Sequence, residues 1–246
     1  MNAALSSRRT LVTGASQPLG VELVRQCLVR GDTVYAACRN PARVPVLADL
    51  RAEFGGLEML PFDPADASSV ADAVPVLEQF TDTLDLLIIG PGEPGAHERA
   101  GEAERDAHLD TLTGSGLAEH YRRYAVSPLL LVRTVLPFLA HRDGARVLVT
   151  TSWLGSLHGK SQGGDYATCA SAAALHMLMR ALAHDLVEQG IVVGLGNPGH
   201  FATTPEGPVF RHSVEEAALG LLGQMDRLPR ERSGAFFDWT GAERAW

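Results

Sequence analysis

Residues 10–40 read TLVTGASQPLGVELVRQCLVRGDTVYAACRN, and the order of residue types in this stretch decides the fold. Thr10–Thr13 is a short apolar run of strand character. It ends in Gly14-Ala15-Ser16-Gln17-Pro18-Leu19-Gly20, a turn of small residues, and passes into the helix-period segment Leu19–Arg30. Thr33–Cys38 is a second strand-like run. Strand, glycine turn, helix and strand in this order make a βαβ unit, with parallel strands and a right-handed crossover. Glycine at the turn lets the backbone approach a pyrophosphate, and the helix N-terminus behind it offers N–H groups and a positive dipole end. A turn of purely structural purpose would use glycine as well.

The alternation continues outward from this unit. Leu57–Phe62, Leu84–Ile89, Arg146–Thr151 and Ile191–Leu195 read as further strands, several without polar alternation, as for strands covered on both faces. Ala42–Phe54, Ser68–Phe80, Leu117–His141 and Tyr166–Gln189 read as helices. The pattern predicts an α/β fold: one Rossmann-like, doubly wound parallel sheet over residues 1–246, in three α/β/α layers. Gly90–Gly116 is a polar, Gly-rich interruption expected to form a loop and a weak exposed helix. Asn197–Ser213 holds three prolines and is expected to cover a pocket.

Composition narrows the class. The 21 Lys and Arg against 29 Asp and Glu give a formal charge of −8 with no basic block, which argues against a nucleic-acid partner. Cys27, Cys38 and Cys169 are odd in number and unpatterned, which argues against a disulfide framework or a zinc site and for a reducing compartment. Pro128–Ala140, the most apolar run, is broken by Arg133 and is too short to span a bilayer. The opening MNAALSSRRTLVTG has no signal-type apolar core. A cytoplasmic protein acting on a small molecule is expected, with no metal and no membrane partner.

Residues 13–20 resemble the TGxxxGxG turn of the short-chain dehydrogenase/reductase family, and the resemblance extends over the chain. Leu84–Gly92 is similar to that family's fourth strand and Val147–Gly155 to its fifth, which places the catalytic serine at Ser152. Tyr166-Ala167-Thr168-Cys169-Ala170-Ser171 resembles the Tyr-x-x-x-Lys-Ser motif and places the catalytic tyrosine at Tyr166. Asn197–Thr203 resembles the Pro-Gly-x-x-x-Thr stretch beside the nicotinamide, and Arg232–Gly241 the tail of the C-factor-like branch. The resemblance implies a dinucleotide held by Gly14, Ser16, Leu19, Gly20, Asp63, Gly90, Pro198, Gly199 and Thr203. Arg39, with no acid at the end of the second strand, favours NADP over NAD. It also implies that the two long apolar helices form a dimer interface, hence a homodimer or homotetramer.

Four positions depart from the pattern. Ala170 stands for the lysine, Tyr124 for a helix asparagine, Ile89 and Gly90 for two asparagines, and Pro18 for the middle glycine of the turn. A lysine ammonium four residues from a tyrosine lies on the same helix face, where it favours the phenolate and bonds the nicotinamide ribose. Alanine does neither. Lys160, His158 and His200 are candidate substitutes, His200 foremost, while His176 and His184 read as core or surface residues. Three functions stay open: an NADP-dependent oxidoreductase using Ser152 and Tyr166, a non-redox cyclase, dehydratase or lyase using the same pair as hydrogen-bond donors, and a silent homologue.

Overall fold

Parallel strands fed by helices on both faces need apolar residues on both faces, and this chain supplies them. In the computed structural model, which describes residues 7–90, 108–140, 144–200 and 212–246, seven strands form one sheet. They are β1 (Arg9–Thr13), β2 (Thr33–Cys38), β3 (Leu57–Pro61), β4 (Leu86–Ile89), β5 (Arg146–Thr150), β6 (Val192–Asn197) and β7 (Ala235–Asp238). Their order is β3-β2-β1-β4-β5-β6-β7, and every neighbouring pair is parallel. The helices are α1 (Pro18–Val29), α2 (Pro45–Phe54), α3 (Ala67–Leu77), α4 (Gly114–Tyr121), α5 (Ser127–Ala140), α6 (Tyr166–Val187) and α7 (Val214–Arg227).

Successive strand residues feed opposite layers. Leu87, Ile89, Val147, Val149, Val193 and Leu195 pack with α3, α5 and α6. Val12, Val34, Leu86, Ile88, Leu148 and Val192 pack with α1, α2 and α7. Burial of each such side chain is worth about 1.5–3 kcal/mol, so neither layer tolerates the polar alternation of a half-exposed strand.

Six strands and five helices are expected from sequence; two further elements are present among the described residues. Strand β7 is only four residues long, AFFD, and fits because β6 offers Gly194 opposite it. A Cβ there would come within 3.0 Å of the Phe237 ring and 2.8 Å of Met225 Sδ. Helix α7 opens on a capping box. Ser213 N–H donates to Glu216 Oε2 (2.7 Å), and Glu216 N–H donates to Ser213 Oγ (3.1 Å). The helix expected from Ala42 starts instead at Pro45, after a 3₁₀ turn at Pro41–Arg43. The helix expected at Leu117–His141 starts at Gly114 and is interrupted by a π turn at Arg122–Val126. Gly114–Ala140 is long and apolar enough to cross a membrane, but Leu131, Val132, Val135, Phe138 and Leu139 on it are buried in the core.

Candidate active site

The chain winds from β1 through β2 to β3 on one side and from β4 to β7 on the other. A crevice therefore opens beyond the C-terminal ends of β1 and β4, where ligands of doubly wound sheets sit. It holds a cavity of ≈ 690 Å³, reached by Thr13 and Gly14 of β1 and its turn, Arg39 after β2, Gly90 after β4 and Asn197 of β6. Backbone proximity shapes this wall. Gly14 has φ 66°, and Gln17 N–H closes the turn on its carbonyl at 3.0 Å. A Cβ on Gly90 would overlap the Thr13 carbonyl oxygen, and Gly90 N–H donates to Thr13 Oγ1 at 3.2 Å. The N-cap of α1, Gln17, makes no side-chain cap, and the first turn carries no acid. Bare cavity-side backbone and an uncapped helix start fit a dinucleotide's pyrophosphate.

The expected cofactor residues divide accordingly. Gly14, Ser16, Arg39, Asp63, Gly90, Pro198 and Gly199 line the cavity. Leu19 and Gly20 do not. Leu19 is buried in the α1 layer, and Gly20 is where α1 presses on the Gly14 carbonyl. Both support the turn from behind. Asp63 also builds a turn, its Oδ1 accepting from Ala65 N–H at 2.9 Å. Thr203 lies outside the described residues.

The opposite wall is made of side chains. Ser152 follows β5, and its Oγ accepts Leu154 N–H at 3.2 Å, which leaves its own proton to donate. Trp153 Nε1–H donates to His200 Nε2 at 3.1 Å, so a neutral His200 carries its proton on Nδ1. Thr151 Oγ1 meets His176 Nε2 at 2.9 Å. His176 is buried against Phe236 with no partner for Nδ1, and burial pushes its pKa down to about 4. Lys160 points away from the cavity: its ammonium donates to the Gly164 carbonyl (2.9 Å) and Cys169 Sγ (3.2 Å). His158 and His184 are exposed.

Helix α6 leaves the expected tyrosine outside the lining of this cavity. Tyr166 is its first residue, 37% exposed, and does not line the cavity; Ala170 is exposed as well. Thr168, Ala172 and Leu175 face the cavity instead. The helix's buried residues include Ala172, Leu175, His176, Met179 and Ala183, and Thr168, half-buried, lies one turn before Ala172. Gly155 brings the helix in, since a Cβ there would lie 2.8 Å from the Ala172 backbone.

The sequence model of the short chain dehydrogenase family matches residues 8–213. The chain belongs to the short-chain dehydrogenases. It is 32% identical over 166 residues to the C-signal of Myxococcus xanthus, covering 68% of this chain and 95% of that one. It is 31% identical over 242 residues to a 1-hydroxy-2-glutathionyl-2-methyl-3-butene dehydrogenase of Rhodococcus sp. (strain AD45), covering 96% and 98%. The NADPH-bound carbonyl reductase from chicken fatty liver superposes with a TM-score of 0.85 at 27% identity, over 98% of this chain and 99% of that one.

The chain is a short-chain dehydrogenase of oxidoreductase type. On α6 the cavity-facing pair four residues apart is Thr168 and Ala172. Sequence reasoning passed over Thr168, Ala172 and His120, all cavity residues. It did single out Tyr124, which lines the cavity from the π turn.

Proposed function

We propose that this short-chain dehydrogenase is an NADP-dependent oxidoreductase acting on the carbonyl or alcohol of a small, apolar or aromatic molecule. The observation that carries this reading is one cavity bounded by the bare Gly14–Gly90 backbone on one side and Ser152 on the other. Arg39 at the rim, where an acid would select NAD, suits a 2′-phosphate. When bound, the reduced nicotinamide supplies a hydride to the carbonyl carbon. Ser152 orients the carbonyl by donating a hydrogen bond to the oxygen, where charge develops. Pro198 and Gly199 border the nicotinamide end. Leu131, Trp153 and Leu175 give the substrate an apolar surround; Phe201, Pro205, Pro208, Val209 and Phe210, also expected there, lie outside the described residues. The NADPH-bound carbonyl reductase and the Rhodococcus dehydrogenase support the assignment.

Titration of the protein's intrinsic fluorescence with NADPH tests it. Saturable binding, tighter than for NADH, is expected, followed by NADPH oxidation with aldehydes or ketones. No binding at millimolar cofactor removes the redox reading in favour of non-redox carbonyl polarisation, the alternative supported by the small side chains at 168 and 172. We propose further that α4, α5 and α6 pair with a second copy, as exposed Tyr121 and Met177 suggest. A light-scattering mass near 26.3 kDa at micromolar concentration would contradict that.

A further inference from the structure

We infer that the proton donor of this site is Tyr124, a phenol presented by the π turn, with His120 positioned to pass protons to it; this rests on the carbonyl-reducing function proposed above. Tyr124 is the one tyrosine among the described cavity-lining residues, and it shares that cavity with Ser152. Tyr166, the phenol of α6, is 37% exposed and outside that lining.

The local geometry is built for presentation. A π turn carries one more residue than an α turn and re-aims the side chains within it, and such turns recur at functional sites. Here Tyr124 sits at the middle of Arg122–Val126. The wide turn is pinned by Ser127, whose N–H and Oγ–H both donate to the Arg122 carbonyl, the hydroxyl at 2.9 Å. Thr168 and Ala172, which line the same cavity from α6, are small.

His120 lies one turn earlier on α4, its ring 4.1 Å from that of Tyr124. Its Nδ1 is 2.9 Å from the hydroxyl of Ser171, a buried residue of α6. Ser171 thereby fixes the imidazole against the phenol. An imidazole is suited to hand protons on at neutral pH.

The step balances as follows. The carbonyl carbon gains a C–H bond and two electrons from the nicotinamide, which is oxidised. The carbonyl oxygen takes the proton of Tyr124: the phenol O–H breaks and the alcohol O–H forms. The phenolate is reprotonated from solvent through His120, while Ser152 holds the oxygen in place.

The test compares Tyr124→Phe, Tyr166→Phe and His120→Ala, each checked for fold by thermal melting and for NADPH affinity by fluorescence. Tyr124→Phe should keep its NADPH affinity and lose about 10²–10⁴-fold in kcat. His120→Ala should lose rate that added imidazole restores, which a merely structural role would not allow. Independently of turnover, in protein labelled with ¹³C at the tyrosine Cζ, the resonance missing from Tyr124→Phe should shift on saturation with NADP⁺. A larger rate loss from Tyr166→Phe than from Tyr124→Phe, or a Tyr124 resonance unmoved by bound cofactor, overturns this inference and leaves the redox function standing. Failure of NADPH and NADP⁺ to bind at millimolar concentration removes both.

Discussion

The two walls of the cavity are made of different material. The wall at β1, the α1 turn and β4 is backbone: Gly14 holds φ 66°, a Cβ on Gly90 would collide with the Thr13 carbonyl, and one on Gly20, behind the turn, with that of Gly14. The wall at β5, α6 and the π turn is side chain, with Ser152, Thr168, Ala172 and Tyr124 projecting from well-packed elements. A backbone wall is set by the sheet and changes only if the sheet does. A side-chain wall can be rewritten residue by residue while the fold persists.

The comparison breaks first at Gly90. Gly90→Ala drives a Cβ into the Thr13 carbonyl, and overpacking against rigid backbone costs about 3 kcal/mol or more. A fall in Tm of roughly 6–12 °C is expected for a chain of this size, with NADPH binding lost. A melting curve like the wild type's would show that the backbone wall yields.

Next comes His176, behind the side-chain wall. Burial holds its pKa at about 4, below the ordinary 6.5, so the folded state favours the neutral ring. Its contribution is complete above about pH 6.5 and is lost as pH falls towards 4, because the unfolded chain takes up the proton first. The interval amounts to about 3 kcal/mol. Urea unfolding at pH 7.5 and at pH 4.5 should show a steeper loss for the wild type than for His176→Gln; parallel losses would count against it.

Ser152→Ala should lower kcat/KM for carbonyl reduction about 10²-fold, or some 2.7 kcal/mol, with the NADPH Kd unchanged. An equal loss in cofactor affinity would move Ser152 to the cofactor side. The smallest effect belongs to the rim. Arg39→Ala should weaken NADPH binding about tenfold, the order of one charge-assisted hydrogen bond, and leave NADH untouched. If both cofactors weaken alike, Arg39 does not read the 2′-phosphate.

The same contrast explains what the sequence made legible. Six strands and the glycine turn could be read because strands buried on both faces are continuous apolar runs and because close approach demands glycine. Ser152 was assigned through the resemblance of Val147–Gly155 to the family's fifth strand, and it lines the cavity. The facing of α6 was not legible, since Tyr166 with Ala170 and Thr168 with Ala172 both obey a four-residue spacing. The family resemblance drew the assignment to Tyr166, while Thr168 and Ala172 are the pair that lines the cavity. Strand β7 is too short for periodicity, its place depending on the glycines of a strand 40 residues away. Helix α7 did announce itself, through Ser213 and Glu216, just past the stretch Asn197–Ser213 read as a loop.

The π turn has a consequence for how the chain tolerates deletion. An α-helix that loses a residue must rotate one of its halves by about 100°. A helix with a one-residue bulge holds a residue in reserve. Shortening Arg122–Val126 by one would turn Gly114–Ala140 into a regular α-helix with His120 still beside Ser171 and Leu131 still in the core. The architecture would survive, and the aim of residue 124 would be what changed.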